Sequence, residues 1–199
     1  MKKILGSVVI IYLVAMLSIG ATKAYFSNQG TSSGNTFSTG TLDLKLSDNN
    51  ETAQDSVTAT WTGTNLAPSI VVSGTLKLRN SGTIAANHVE IGTANLVTEA
   101  SSGPGTEETI KMDTVLEVTT LTFDGANLLN SLPDGNINGI KDLDDMEAYT
   151  FDSLALTDLD TDHPLVMTVR FHPTMAENQH QGDSVVTTFT LTLNQDSSQ

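Results

Sequence analysis

A regular alternation of apolar and polar residues is the feature that most constrains the fold of this chain. Successive side chains of a β-strand point to opposite faces, so this pattern indicates strands with one buried face. It is clearest near the end, where Val185, Thr187, Phe189, Leu191 and Leu193 recur at every second position. The same period appears at Leu42–Leu46, Val57–Trp61, Leu76–Leu78 and Leu165–Phe171.

Many short strands joined by polar turns predict an all-β protein. We expect an antiparallel, jelly-roll-like β-sandwich with a small helical or loop insertion. The turn Asn80-Ser81-Gly82 is expected to close a hairpin, with the glycine supplying the positive φ.

The segment at about 124–150 departs from the alternation and is interpreted as the insertion, on one edge of the sandwich. Gly125–Leu132 reads as a short helix stopped by Pro133. Asp142–Ala148 is typical of a second helix, whose first-turn carboxylates are favoured by the helix dipole.

The N-terminus has the pattern of an export signal. Lys2 and Lys3 precede an apolar run from Ile4 to Ala21, and Thr22-Lys23-Ala24 places small residues at the cleavage positions. We predict a signal peptide at 1–24, a signal peptidase cutting after Ala24, and a secreted protein at the cell surface or in the extracellular matrix. The apolar run is longer than the roughly 7–15 residues of an ordinary signal, so an uncut anchor stays open as an alternative.

Charge limits the partners of the exported chain. Loss of three lysines with the signal takes the net charge from −14 to −17. Nucleic-acid binding needs clustered Lys and Arg, and anionic lipid is disfavoured for the same reason. We therefore expect no nucleic-acid partner and no membrane contact after processing. The chain has no cysteine, which excludes disulfides and thiolate metal sites.

One loop has the residue spacing of a calcium site. Oxygen-bearing residues and a backbone carbonyl occupy alternating loop positions, with Gly139 at the sharp turn, as in EF-hand loops. The predicted Ca²⁺ ligands are Asp134, Asn136, Asn138, Ile140 through its carbonyl, Asp142 and Asp145. Two features depart from the pattern: the last ligand is Asp rather than Glu, and Lys141 stands where an aliphatic residue is usual. The alternative is an Asn/Gly turn before an acidic helix start.

Nothing in the sequence has the pattern of a catalytic site. The histidines His88, His163, His172 and His180 are scattered, and there is no H-E-x-x-H motif for zinc. There is also no cysteine and no G-x-S-x-G motif for a nucleophile. The sequence therefore predicts a protein that is not an enzyme.

Several short motifs resemble the TasA and camelysin family of secreted fibre proteins, which are cut by a dedicated signal peptidase. The motifs are Ala24-Tyr25-Phe26, Asn35-Thr36-Phe37, Gly40–Leu44, Asn65–Pro68, Gly74–Thr83 and Gln181–Ser184. The match covers both ends, with a divergent middle from about Ala94 to Asp162.

The resemblance implies a jelly-roll domain at 39–199 and a fibre built by donor-strand exchange. In that arrangement the segment Tyr25–Ser38 would add as a strand to the next subunit, giving a homopolymer in a biofilm matrix or pilus. From the residues alone, a frayed terminus or a strand paired within its own domain is equally open.

Three rivals to a structural subunit stay open. Camelysin is described as a metallopeptidase, so a secreted metallopeptidase is the first. A monomeric adhesive module anchored by an uncut signal is the second. Pilin-like processing near Gly6-Ser7 is the third, although the expected early acidic residue of such a helix is missing.

Overall fold

The computed structural model describes residues 2–20, 38–48, 52–58, 60–100 and 110–196. The chain divides into two compact units, Met1–Ser38 and Thr39–Gln199. The first unit contains the helix α1, Lys2–Gly20, which covers most of the predicted apolar run. Among the described helices, none is long and apolar enough to cross a membrane. The predicted cleavage site after Ala24 and most of the predicted donor segment lie outside the described residues.

The described residues of the second unit form two antiparallel sheets and one short α-helix. The strands are β1 (Leu44–Asp48), β2 (Val71–Asn80), β3 (His88–Thr98), β4 (Leu116–Phe123), β5 (Ala126–Asn127), β6 (Phe151–Ala155), β7 (His163–Phe171) and β8 (Ser184–Asn194), and the helix is α2 (Leu143–Glu147). The larger sheet has the order β1-β2-β7-β4-β5, and the smaller has the order β6-β3-β8. The prediction of an all-β antiparallel sandwich is confirmed.

The core lies between the inner faces of the two sheets. Leu78 and Leu165 enter it from the larger sheet, and Val89 and Ile91 enter it from the smaller. Strand β7 is buried at every second residue, as its sequence predicts. Burial of one such aliphatic side chain contributes about 1.5–3 kcal/mol, so these alternating positions supply the main stabilisation of the fold.

The strand order is that of a jelly roll with one position unfilled. Strand β7 lies between β2 and β4, whereas β8 pairs only with β3 among the described strands. A jelly roll has eight strands shared between two sheets, and the smaller sheet here has three. The strand that precedes β2 along the chain pairs with β2 itself and not with β8. One edge of β8 therefore has no partner in the described part of the domain.

The predicted helix at Gly125–Leu132 is wrong. Asp124 and Gly125 have φ values of 49° and 78°, and they turn the chain back so that Ala126 pairs with Phe123. Aspartate and glycine both tolerate positive φ, so they form a tight turn here in place of the predicted helix. The second predicted helix is confirmed as α2, which begins after Asp142 with a reciprocal capping box to Asp145.

The predicted hairpin at Asn80-Ser81-Gly82 is also wrong, because β2 and β3 belong to different sheets. Gly82 is needed for space: a Cβ there would lie 2.1 Å from the carbonyl oxygen of Thr41. The expected strand at Val57–Trp61 is wrong as well, because its described residues lie outside any strand.

Candidate functional site

A groove of about 1040 Å³ opens between the sheets beside β8. The inward-facing residues of β8 are only half-buried, whereas those of β7 are buried. The groove is lined by Val185, Thr187, Phe189 and Leu191 of β8, by Met167, Val169 and Phe171 of β7, and by Leu76, Leu116 and Trp61. One side of the sandwich core is thus open, with mainly apolar walls.

Trp61 bridges the groove. Its ring stacks on Phe189 with centroids 4.9 Å apart, and its Nε1 donates a hydrogen bond of 2.9 Å to the carbonyl oxygen of Met167. A Cβ on Gly74 would lie 2.7 Å from the indole ring, so glycine at this position of β2 makes room for it. This one side chain, the only tryptophan in the chain, contacts both sheets.

The exposed edge of β8 completes the groove. Over its 11 residues β8 is paired on one side only, within the part of the chain that the structure describes. An open edge presents backbone N–H and C=O groups that a further strand can satisfy. An unpaired edge beside an apolar groove can therefore accept an extended peptide, with alternate side chains entering the groove.

The predicted calcium loop closes around Asp142. Asp142 Oδ2 accepts hydrogen bonds from Asn138 Nδ2 at 2.7 Å and from Asn136 Nδ2 at 3.1 Å. Asn138 also fastens the loop to the neighbouring 3₁₀ turn, Met112–Val115, by donating to the carbonyl oxygen of Thr114 at 3.1 Å. The structure thus brings three of the six predicted ligands together.

Two other predicted ligands bind the loop backbone. Asp134 accepts from the amides of Asn138 at 3.1 Å and of Gly139 at 3.0 Å. Asp145 accepts from Gly135 N at 2.7 Å and from Asp142 N at 3.1 Å. Both oxygens of Asp145 therefore already have donors, so an ion would compete with the capping box.

Lys141 and Ile140 complete the loop. Lys141 Nζ donates to the carbonyl oxygens of Leu129 (2.7 Å) and Leu132, which anchors the preceding turns of the insertion. This role accounts for lysine at a position that is usually aliphatic. Ile140 is the sixth predicted ligand, through its carbonyl oxygen. Its amide donates a hydrogen bond of 3.0 Å to Asn138 Oδ1.

The loop concentrates negative charge in a buried place. Carboxylate oxygens of Asp142, Asp144 and Asp145 lie within 4.8 Å of one another. Burial raises the pKa of Asp142 to about 6, although hydrogen bonds from Asp145, Asn136 and Asn138 oppose the rise. A cation would relieve the cost of burying this charge.

Asp113 adds to this charge, although it belongs to none of the sequence motifs. It is 3% exposed, and its Oδ1 has no hydrogen-bond partner among the described residues. Burial, and secondly the charge of Asp144, raises its pKa. Asp113 lies on the 3₁₀ turn Met112–Val115, which packs against α2. No sequence signal indicated this contact, because it depends on tertiary packing.

Three of the four histidines have separate structural contacts. His163 Nδ1 pairs with Asp124, His180 Nε2 lies 3.0 Å from the carbonyl oxygen of Ile110, and His172 Nδ1 accepts from Met175 N at 3.3 Å. Within the described ranges, none of the three belongs to a group of residues able to hold a metal ion.

The fourth histidine lies in such a group. His88 Nε2 is 3.3 Å from Glu90 Oε1 and 3.2 Å from Asp152 Oδ1. In the sequence, His88 is one of four scattered histidines. A usable signal was present in His88-Val89-Glu90, because residues two apart on a strand share a face. The contribution of Asp152 was not visible in the sequence.

Within the described residues, fold and sites together define an antiparallel β-sandwich with an open strand position and two groups of side chains that could hold a metal ion. The whole chain, residues 1–199, matches the family model described as camelysin metallo-endopeptidase. The chain therefore belongs to the TasA/camelysin family. No curated protein matched it.

The family description implies a metal ion, and the residues present fit one. The His88 group offers an imidazole nitrogen and two carboxylates, and the Asp134–Asp145 loop offers oxygens alone. The description also points towards peptidase activity, so the absence of enzymatic activity stays a prediction for this chain.

Proposed function

We propose that this protein is a secreted structural subunit that polymerises into extracellular fibres by donor-strand exchange. The observation that supports it most is the apolar groove beside the unpaired edge of β8. A missing strand leaves such a groove in a monomer, and a strand from a second copy would fill it.

The occupant would be Tyr25–Ser38 of the neighbouring copy. This segment has 14 residues, enough to run along the 11 residues of β8. It carries Tyr25, Phe26 and Phe37, whose burial would contribute on the order of 2 kcal/mol each. Backbone hydrogen bonds to β8 would add to this.

Such an exchange does not close on itself. The donor segment and the acceptor groove are different surfaces, so each added copy leaves one of each free. Growth would therefore produce a filament rather than a dimer. The strongly negative mature chain would keep free subunits soluble until the groove is filled.

Ca²⁺ would have a supporting role. An ion held by Asp134, Asn136, Asn138, Ile140, Asp142 and Asp145 would fix the insertion to the 3₁₀ turn that carries Asp113. Hard oxygen ligands in a tight loop favour Ca²⁺ over transition metals.

The groove can be tested with a substitution that fills it. Val185→Trp should occupy the space of the donor strand and leave the protein monomeric, because Val185 lines the groove. Thr190→Trp is the matched control, since Thr190 is exposed on the same strand and points away from the groove. Filament growth is followed by light scattering and electron microscopy. Normal fibres from folded Val185→Trp protein would contradict the proposal.

A second candidate function is that of a camelysin-like metallopeptidase. The family description and the His88 group favour it. Stoichiometric zinc together with casein cleavage that is lost in His88→Ala would support it over the structural role.

A further inference from the structure

We propose that His88, Glu90 and Asp152 form a binding site for a divalent transition metal of the zinc class. The site lies on the outer face of the smaller sheet. It does not depend on the proposed fibre function, and it is separate from the Asp134–Asp145 loop in both residues and chemistry.

Strand geometry places two of the ligands together. Val89 and Ile91 are 0% and 1% exposed and belong to the core, so the alternating residues His88 and Glu90 point to the opposite face of β3. Although it lies on this outer face, His88 is only 4% exposed. A buried imidazole on the outer face of a sheet needs polar partners, and here they are carboxylates.

A β-bulge supplies the third ligand. Val89 pairs with Leu154 and Ile91 pairs with Phe151, so both Asp152 and Ser153 stand opposite Glu90. Without the extra residue, Asp152 would pair with Ile91 and face the core. The bulge therefore turns Asp152 towards Glu90, and Ser153 takes a φ of 59° to allow it.

The distances suit a tetrahedral ion. Zinc bonds to nitrogen and oxygen are about 2.0–2.2 Å long, so neighbouring ligand atoms of a tetrahedron are about 3.3 Å apart. The separations from His88 Nε2 are 3.2 Å to Asp152 Oδ1 and 3.3 Å to Glu90 Oε1. All three ligand atoms lie within 4.8 Å of one another.

Negative charge at the site also favours a cation. Two carboxylate oxygens stand next to the ring nitrogen His88 Nε2. A metal ion between the three atoms would be attracted to all of them.

Asn194 of β8 lies beside the same atoms. Its Nδ2 is 2.6 Å from Glu90 Oε1 and 3.3 Å from His88 Nε2. It holds the Glu90 carboxylate in place, and rotation of the amide would present Oδ1 as a further ligand. The metal would thereby tie β6, β3 and β8 together, stiffening the sheet whose edge strand β8 is unpaired on its outer side among the described strands.

The ligand set predicts the class of ion. Imidazole with carboxylates suits zinc and its first-row neighbours, whereas an all-oxygen loop suits Ca²⁺. Zinc should therefore bind at His88 even when Ca²⁺ saturates the Asp134–Asp145 loop.

The test is isothermal titration of tag-free full-length protein with Zn²⁺ in the presence of excess Ca²⁺. We expect one zinc per chain and a rise in melting temperature. His88→Ala and Asp152→Asn should each weaken zinc binding by at least about 100-fold, because even residues that merely orient metal ligands are worth about 10- to 100-fold. Nitrogen-detected NMR should show the His88 Nε2 resonance shifting on zinc addition.

His172→Asn is the matched control and should bind zinc as the unchanged protein does, since the His172 ring accepts its hydrogen bonds from Thr174 N and Met175 N of its own turn. Circular dichroism of each variant without metal checks the fold. The proposal fails if the unchanged protein binds no zinc, or if folded His88→Ala binds it with unchanged affinity. Loss of zinc binding in His172→Asn but not in His88→Ala would place the ion elsewhere.

Discussion

The buried carboxylate of Asp142 gives the stability of the fold a pH dependence that calcium should remove. Burial raises the pKa of Asp142 from 3.8 to about 6. Because the folded value lies above the unfolded one, this group stabilises the fold fully below about pH 3.8. That contribution is lost as the pH rises through about 6. Without metal, Asp142 should therefore make the protein more stable in mild acid than at neutral pH.

The magnitude follows from the shift. One pKa unit corresponds to about 1.4 kcal/mol, so the free energy of unfolding changes by about 3 kcal/mol over the whole titration of Asp142. About 2 kcal/mol of this falls between roughly pH 4.5 and pH 7. In a domain of this size, that corresponds to a change in melting temperature of roughly 4–8 °C. Asp142 is 0% exposed, so solvent screens its charge little.

Calcium should cancel this pH dependence. The ion binds the ionised carboxylate, so protons compete with it and its stabilisation grows as the pH rises. At a calcium concentration 100-fold above Kd the gain is about 2.7 kcal/mol. This gain offsets the loss of about 2 kcal/mol, so with calcium bound Asp142 should cause almost no change in melting temperature between roughly pH 4.5 and pH 7.

The assay is a set of melting curves in EDTA and in excess Ca²⁺ across this pH range. Asp142→Asn keeps one capping oxygen and loses the charge. It should remove the pH-dependent stabilisation that Asp142 gives in EDTA, and it should abolish the rise in melting temperature caused by Ca²⁺. Asp158→Asn removes an exposed carboxylate and should leave both profiles unchanged. Parallel EDTA profiles for the unchanged protein and Asp142→Asn would refute the electrostatic reasoning. Identical curves in EDTA and Ca²⁺ would leave the loop as a plain turn.

Two further predictions concern processing and activity. N-terminal sequencing and intact mass of the exported protein should give Tyr25 as the first residue; retention of residues 1–24 would support an anchored protein, and a start near Ser7 would support pilin-like processing. The purified protein should not cleave casein, since the chain lacks an H-E-x-x-H motif. Zinc-dependent cleavage that is lost in His88→Ala, and retained in His172→Asn, would establish the peptidase instead.

Local periodicity predicted the strands well where one face is buried. The alternation at Leu165–Phe171 became β7, and the one at Val185–Leu193 became β8. The capping chemistry at Asp142 likewise predicted the start of α2. These signals are local, so they survive in a single sequence.

The wrong predictions fall where tertiary contacts determine the local conformation. Gly82 was assigned to a hairpin, but its role is to admit the backbone of Thr41, which is distant in sequence. Trp61 was assigned to a strand, but stacking on Phe189 holds it in irregular chain. Asp152 joins His88 only through a bulge, and a pairing register is not readable from composition.

The central claim is that β8 of one copy accepts Tyr25–Ser38 of the next, and disulfide trapping tests it most directly. The chain has no cysteine, so an engineered pair is free of background. Thr188→Cys, exposed on β8, is combined with single cysteines placed along Tyr25–Ser38, and oxidised fibres are analysed under denaturing conditions. Asn127→Cys on β5, at the far edge of the larger sheet, replaces Thr188→Cys in the control. We predict intermolecular ladders at alternate positions of the segment with Thr188→Cys and none with Asn127→Cys. Fibres in which no position of the segment cross-links to Thr188→Cys would contradict donor-strand exchange.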